Sequence, residues 1–190
     1  MKLPPAIESI TLTGRQYERP YPPLGFHPFC EHELGNGDQF GVYWPIGRED
    51  HEPIVAETYH DEGSIQPKFS SLACFLTVAQ AVALGEDDDG EFYDEASYVE
   101  GPEIEDDPQS PTACVEAAGN CLKRNEVDEA IQWLSTAVAV VPEYGKAQAL
   151  LATQYRRVGD HDAAVRSAVQ ALISPPSLGG TSPQLAAWLS

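Results

Sequence analysis

Positive charge is scarce in this sequence. Only 11 of its 190 residues are Lys or Arg, against 30 Asp or Glu, for a formal net charge of −19. A chain this acidic repels nucleic-acid phosphates and anionic membrane surfaces, so neither is an expected partner; a basic protein is. Long apolar runs are also missing, and no window approaches the roughly 18 uninterrupted apolar residues of a membrane helix. The opening stretch MKLPPAIESI has no apolar core of the signal-peptide kind. The four cysteines, Cys30, Cys74, Cys114 and Cys121, include no C-x-x-C pair. Together these absences lead us to expect a reducing, cytoplasmic setting.

What is present divides the chain. A hydrophobic content of 42% in 190 residues suffices for one good core or two small ones. Residues 1–85 hold 5 basic and 11 acidic side chains, residues 86–107 hold none and 12, and residues 108–190 hold 6 and 7. The stretch from Glu86 to Pro111, EDDDGEFYDEASYVEGPEIEDDPQSP, has no apolar periodicity and repels itself. We read an N-terminal domain over 1–85, an extended solvated linker over 86–110, and a C-terminal unit over 111–190. Phe92, Tyr93 and Tyr98 inside the linker are features that favour docking.

The N-terminal part reads as α+β, a small antiparallel sheet with a packed helix. Gln39 to Trp44 places Phe40, Val42 and Trp44 on one face of a strand, and Pro53 to His60 is a second strand rich in β-branched and aromatic residues. The polar stretch IGREDHEP between them is a hairpin loop. Ser70-Ser71 starts a helix with Leu72, Phe75, Leu76, Ala79, Val82 and Ala83 along one stripe, closed by Gly85. LGNGDQFGVYW offers three glycines but no Lys-Ser/Thr after them and no following helix, which excludes a phosphate loop. Gly35-Asn36-Gly37-Asp38 instead turns the chain into the strand.

The C-terminal part is helical, alanine-rich and repetitive. Setting Pro142 against Pro176 brings two blocks into register without a gap, and the same offset matches Ala130 with Ala164, Ala137 with Ala171, Asn125-Glu126 with Gly159-Asp160, and Cys121 with Tyr155. A 34-residue period, small residues at helix crossings and Pro after the second helix resemble the tetratricopeptide repeat, over 111–144 and 145–178. Cys114 and Gln148 stand where that family has a large aromatic, and Ala117 where it has leucine. The resemblance implies an all-α unit of helical hairpins. Ser182 and Pro183 open a further short helix whose Leu185, Trp188 and Leu189 cap the last repeat.

The residues Gly35, Gly37, Asp38, Phe40, Gly41, Trp44, Phe69, Leu72, Phe75 and Leu76 occur in an order that resembles the SMI1/KNR4 superfamily, also called SUKH, over about 25–84. That resemblance implies a non-catalytic binding module. Bacterial members include immunity proteins that neutralise toxins, often basic nucleases, and fungal members serve as regulatory scaffolds. Acidity suits the first role, because opposite charge accelerates encounter.

Catalytic and metal chemistry find less support in the residues. His27, Cys30 and His32, with Asp61 or Glu62, offer metal-ligand types, but H-x-x-C-x-H is not a standard zinc spacing. Cys74 on a helix stripe behaves as a small hydrophobe, and Cys30 lies between Phe29 and Glu31, whose charge opposes a thiolate. Paired carboxylates such as Glu49-Asp50 carry little information in so acidic a chain. We therefore expect no catalytic residue, no metal and no cofactor. The expected partner surface joins aromatics to charge at the hairpin: Tyr43, Trp44, Arg48, Glu49, Asp50, Glu57, Tyr59, Asp61 and Glu62. In the repeats the expected groove residues are Lys123, Lys146, Thr153, Arg156 and Arg157, a basic set suited to an acidic strand, with the segment 86–107 as one candidate. The expected function is stoichiometric binding of a protein partner, such as a basic toxin. Two alternatives are a repeat-based scaffold or co-chaperone-like adaptor and, more distantly, a metal-dependent hydrolase.

Overall fold

The computed structural model describes residues 25–31, 37–59, 63–84 and 101–179. The chain divides into two compact units, Met1–Asp107 and Pro108–Ser190. In the first, strands β1 (Phe26–Glu31), β2 (Gln39–Tyr43), β3 (Ile54–Tyr59) and β4 (Ser64–Phe69) form one antiparallel sheet in the order β1-β2-β3-β4, followed by helix α1 (Leu72–Leu84). Strands β2 and β3 stand where the alternating apolar pattern places them. The structure adds β1 and β4, the two edges of the sheet. Each contains a proline, Pro28 and Pro67, which an edge tolerates because the missing N–H need not enter a ladder.

The core lies between the sheet and α1. Phe40, Val42, Trp44, Val55 and Phe69 meet Leu72, Phe75 and Ala79 there, with Phe29, Cys74 and Val78 packed at the margin. The Phe75 ring stands 5.4 Å from Phe29, 5.5 Å from Phe40 and 5.3 Å from Phe69 between centroids, within the range where tilted and edge-on aromatic pairs are favourable. The buried line on α1 runs i, i+3, i+7, so Leu76, expected in the stripe, is exposed. The side chains of Val82 and Ala83 lie outside the described residues. Residues Gln39–Tyr43 and Ile54–Thr58 are buried on both faces of the sheet.

Two backbone constraints shape this unit. Gly37 has a φ of +92° and is followed by Asp38 and then β2, so the glycine turn feeds a strand; Gly35 and Asn36 fall outside the described residues. At Gly41 a Cβ would lie 2.5 Å from the carbonyl oxygen of His27 and 2.5 Å from Phe26 Cζ, so the close approach of β1 excludes any side chain.

The start of α1 corrects the linker expectation. Ser71 Oγ accepts from the Cys74 N–H at 3.2 Å, as an N-cap does. One residue earlier, the Ser70 N–H and hydroxyl both donate to the Asp107 carboxylate, each at 2.7 Å. Asp107 is 2% exposed, so the end of the acidic stretch is folded into the first unit rather than solvated. A carboxylate is favoured there because a helix N-terminus carries unmet N–H donors and partial positive charge.

The second unit holds α2 (Pro111–Lys123), α3 (Val127–Val140), α4 (Gly145–Val158) and α5 (His161–Ile173), each packed on the next, followed by a 3-10 turn at Pro176–Leu178. Helix starts recur at the sequence period, Pro111 with Gly145 and Val127 with His161. Finer features recur at the same interval. Asn125 and Gly159 both adopt left-handed backbone, at φ 64° and 85°. Cys114 Sγ donates to the Pro108 carbonyl at 3.4 Å, and Gln148 Nε2 donates to the Pro142 carbonyl at 2.9 Å. Ala113, Ala118, Ala130 and Ala137 are buried, as are their counterparts Ala147, Ala152, Ala164 and Ala171, which lets the helices approach closely. Ser110, Tyr144 and Leu178 are buried in one recurring position, and α2 and α4 begin at Pro111 and Gly145, where the sequence period sets the two blocks.

Candidate functional site

Among the described residues of the first unit, the hairpin between β2 and β3 carries a run of exposed side chains. Trp44, buried against α1, donates from Nε1 to the His51 carbonyl at 3.2 Å and so ties the loop to the core. Two further bonds, Arg48 N–H to the Pro45 carbonyl and His51 N–H to the Arg48 carbonyl, both at 3.0 Å, close successive turns. The Gly47 N–H reaches Glu49 Oε1 at 3.1 Å. The loop carries Ile46, 65% exposed, beside exposed Glu49, Asp50, His51 and Glu52 and half-buried Arg48. His51 Nδ1 meets Asp50 Oδ1 at 2.8 Å. The hydrogen bond from His51, with the backbone of Asp50 and the charge on His51, holds the Asp50 carboxyl below its usual range.

This placement narrows the expected partner surface. Arg48, Glu49 and Asp50 are available at the tip. Tyr43, Trp44 and Glu57 are only 2%, 5% and 5% exposed, and their roles are internal. The Glu57 carboxylate accepts from the Tyr59 hydroxyl at 2.6 Å and pairs with Lys68 Nζ at 3.1 Å. A buried carboxylate requires such partners, since an unpaired one carries a large desolvation penalty. Tyr59 is half-buried, and Asp61 and Glu62 lie outside the described residues. The structure adds Ile46, which the sequence reading omits as an anchor although an isoleucine in an otherwise polar loop is a readable signal.

In the helical unit Lys123, Lys146, Thr153, Arg156 and Arg157 are all exposed, but they do not form one cluster. Arg157 hydrogen-bonds the Asn125 side chain across the two hairpins, which puts it at the same end as Lys123, bonded to Asn120 at 3.0 Å. Arg156 and Arg157 close α4, where cations meet the negative end of the helix dipole. Lys146 opens α4 and so stands about 15 Å away along the axis. The Thr153 hydroxyl donates back to the Ala149 carbonyl at 3.0 Å. The remaining basic end is Lys123, Arg156 and Arg157.

For the alternative chemistries, exposed His27 stands edge-on to Trp44 at 5.7 Å. The Cys30 side chain and His32 lie outside the described residues. Among the described residues no group of three or more His, Cys, Asp or Glu could hold a metal ion. Half-buried Cys74 is 3.7 Å from Ser70 Oγ and packs at the core margin. No described helix is long and apolar enough to cross a membrane.

Comparison with known proteins adds a relationship to this geometry. Over 160 residues the chain is 37% identical to the "Uncharacterized protein YfbP" of Escherichia coli (strain K12), a match covering 84% of this chain and 52% of that protein. A match of that length exceeds either unit and takes in parts of both. The chain spans about half the length of this relative. Residues 11–91, which include the whole sheet and α1, match the family model of the YfbP N-terminal domain, and it is to that domain that the first unit is similar.

Proposed function

We propose that the chain is a non-catalytic protein-binding molecule whose hairpin tip engages a basic protein, in the manner of an immunity protein neutralising a toxin. The observation that carries this reading is the tip itself. An exposed apolar residue, Ile46, shares with exposed Glu49, Asp50 and Glu52 a loop anchored by buried Trp44. A central apolar anchor with a charged rim is the usual anatomy of an interface. The net charge of −19 favours a basic partner and fast encounter. The SMI1/KNR4-like reading of the first unit is part of this proposal, supported by the Gly37-Asp38 turn into β2 and the α1 start after Phe69.

The periodic recurrence of the helices supports a second reading, in which they are tetratricopeptide repeats and provide the main site of an adaptor. Affinity capture from the native host with the full chain separates the two readings. If the tip is the site, one protein is retained stoichiometrically by the wild type and lost with I46D or the triple variant E49K/D50K/E52K. Loss with R156E/R157E instead, with the tip variants unaffected, gives the adaptor. Retention by all variants alike overturns both.

A further inference from the structure

Helix α5 carries an exposed apolar row. Val165 is 51%, Val169 41% and Ile173 68% exposed, and a spacing of four residues puts all three on one side of the helix. The positions one period earlier on α3 are Ile131, Ser135 and Ala139. Helix α3 packs against α4, and there Ile131 and Ser135 are half-buried, so the row is barer on α5 than its counterpart is on α3. Adjacent apolar side chains left in water mark a surface that associates.

Charge identifies what fits this row. Residues 108–190 hold 6 basic and 7 acidic side chains, so they contribute only −1 to the net −19. Within α5 the acidic and basic side chains are Asp162 and Arg166, and no Lys, Arg, Asp or Glu follows Arg166 in the sequence. A basic partner, drawn to the acidic residues of the first unit, gains no ion pair at Val169 or Ile173. A second copy of the chain meets no repulsion there, whereas residues 1–107 carry the remaining −18 and repel their like. The row is also self-complementary. In an antiparallel pair with its two-fold axis at Val169, Val165 of one protomer faces Ile173 of its partner and Val169 faces Val169, as an isologous contact requires.

We propose that the row formed by Val165, Val169 and Ile173 is the interface of a weak homodimer in which α5 packs against α5 of a second copy. Three apolar side chains per protomer place it at the small end of protein interfaces, where association is transient. The test is sedimentation velocity on the full chain over rising concentration, up to millimolar. A reversible monomer–dimer equilibrium is expected, and it tightens with added salt, because salt screens the repulsion between two acidic chains. V169D sets two carboxylates against each other across the axis and should weaken the dimer at least tenfold, on the order of the several kcal/mol that like charges in contact cost. I173D, at a position already 68% exposed, should weaken it without unfolding the helix, as circular dichroism checks. In a sample mixed from isotope-labelled and unlabelled chains, filtered Overhauser contacts should join the Val165 methyls of one chain to Ile173 of the other. A chain that stays monomeric throughout overturns the proposal. So does a dimer that both variants leave intact, one that loosens as salt rises, or Overhauser contacts from this row that remain within one chain.

Discussion

Asp107→Ala tests whether the end of the acidic stretch is part of the first unit's fold. The carboxylate receives two hydrogen bonds from Ser70, one from the backbone and one from the hydroxyl, both at 2.7 Å. Hydrogen bonds to a charged group contribute about 1.5–3 kcal/mol each. Ser70 is half-buried, so water recovers part of the loss, and the lower end applies: about 3 kcal/mol for the pair. Asp107→Asn keeps one acceptor and should cost about half as much. Urea unfolding of the full chain, with Trp133 and Trp188 replaced by Phe, makes Trp44 the reporter of the first unit. At a slope of about 2 kcal/mol per molar, the midpoint for Asp107→Ala falls by about 1.5 M. Ser70→Ala introduced into that background should add less than it costs alone, since it removes a group that has already lost its acceptor. A midpoint shift below about 0.3 M, or strict additivity of the two substitutions, refutes the reasoning.

Three further outcomes follow from the structure. Gly41→Ala forces a Cβ to within 2.5 Å of a backbone oxygen; overpacking against a backbone that cannot step aside should cost about 3 kcal/mol, measured by the same urea midpoint. Burial pushes the Tyr144 phenol up to about 12, against a hydrogen bond with Thr112 that lowers it. A folded-state value above the unfolded 10 gives stability that is complete below pH 10 and lost as pH rises towards 12, so ultraviolet titration should show a late phenolate that is absent from Tyr144→Phe, together with loss of helical signal. Tyr144→Phe removes the hydroxyl together with its contact to Thr112, so it should abolish that late step while changing thermal stability by no more than about 1 kcal/mol. At the hairpin, carbon-detected titration should find the Asp50 carboxyl below its ordinary 3.8, and His51→Ala should raise it; an unmoved midpoint would show that His51 is not the cause.

Much of the local structure was legible. Alternation in QFGVY and the β-branched run IVAETY gave β2 and β3, and Ser70-Ser71 marked the start of helix α1; Gly85, expected to close it, lies outside the described residues. The repeat interval was visible as matched alanines and prolines. Strands β1 and β4 were not, because FHPFCE and SIQPKF each carry a proline that lowers a strand reading unless the strand is known to be an edge. Leu76 looked like core by composition, yet α1 buries only a narrow line against the sheet. The site was half legible: the acidic residues of IGREDHEP were expected at the surface and are there. Glu57 was placed with them because an isolated glutamate gives no sign that Tyr59 and Lys68 will receive it inside.

By itself the sequence determined charge, the helix and strand periods and the repeat interval, since each of these is a property of near neighbours or of simple recurrence along the chain. Tertiary structure decided which charges are internal and which residues face water. Asp107 meets Ser70 across 37 residues, and Glu57 meets Lys68 on the next strand. Those pairings follow from where the sheet edges and helix ends arrive in space, and a carboxylate's fate depends on the donors that reach it, which no short window of sequence contains.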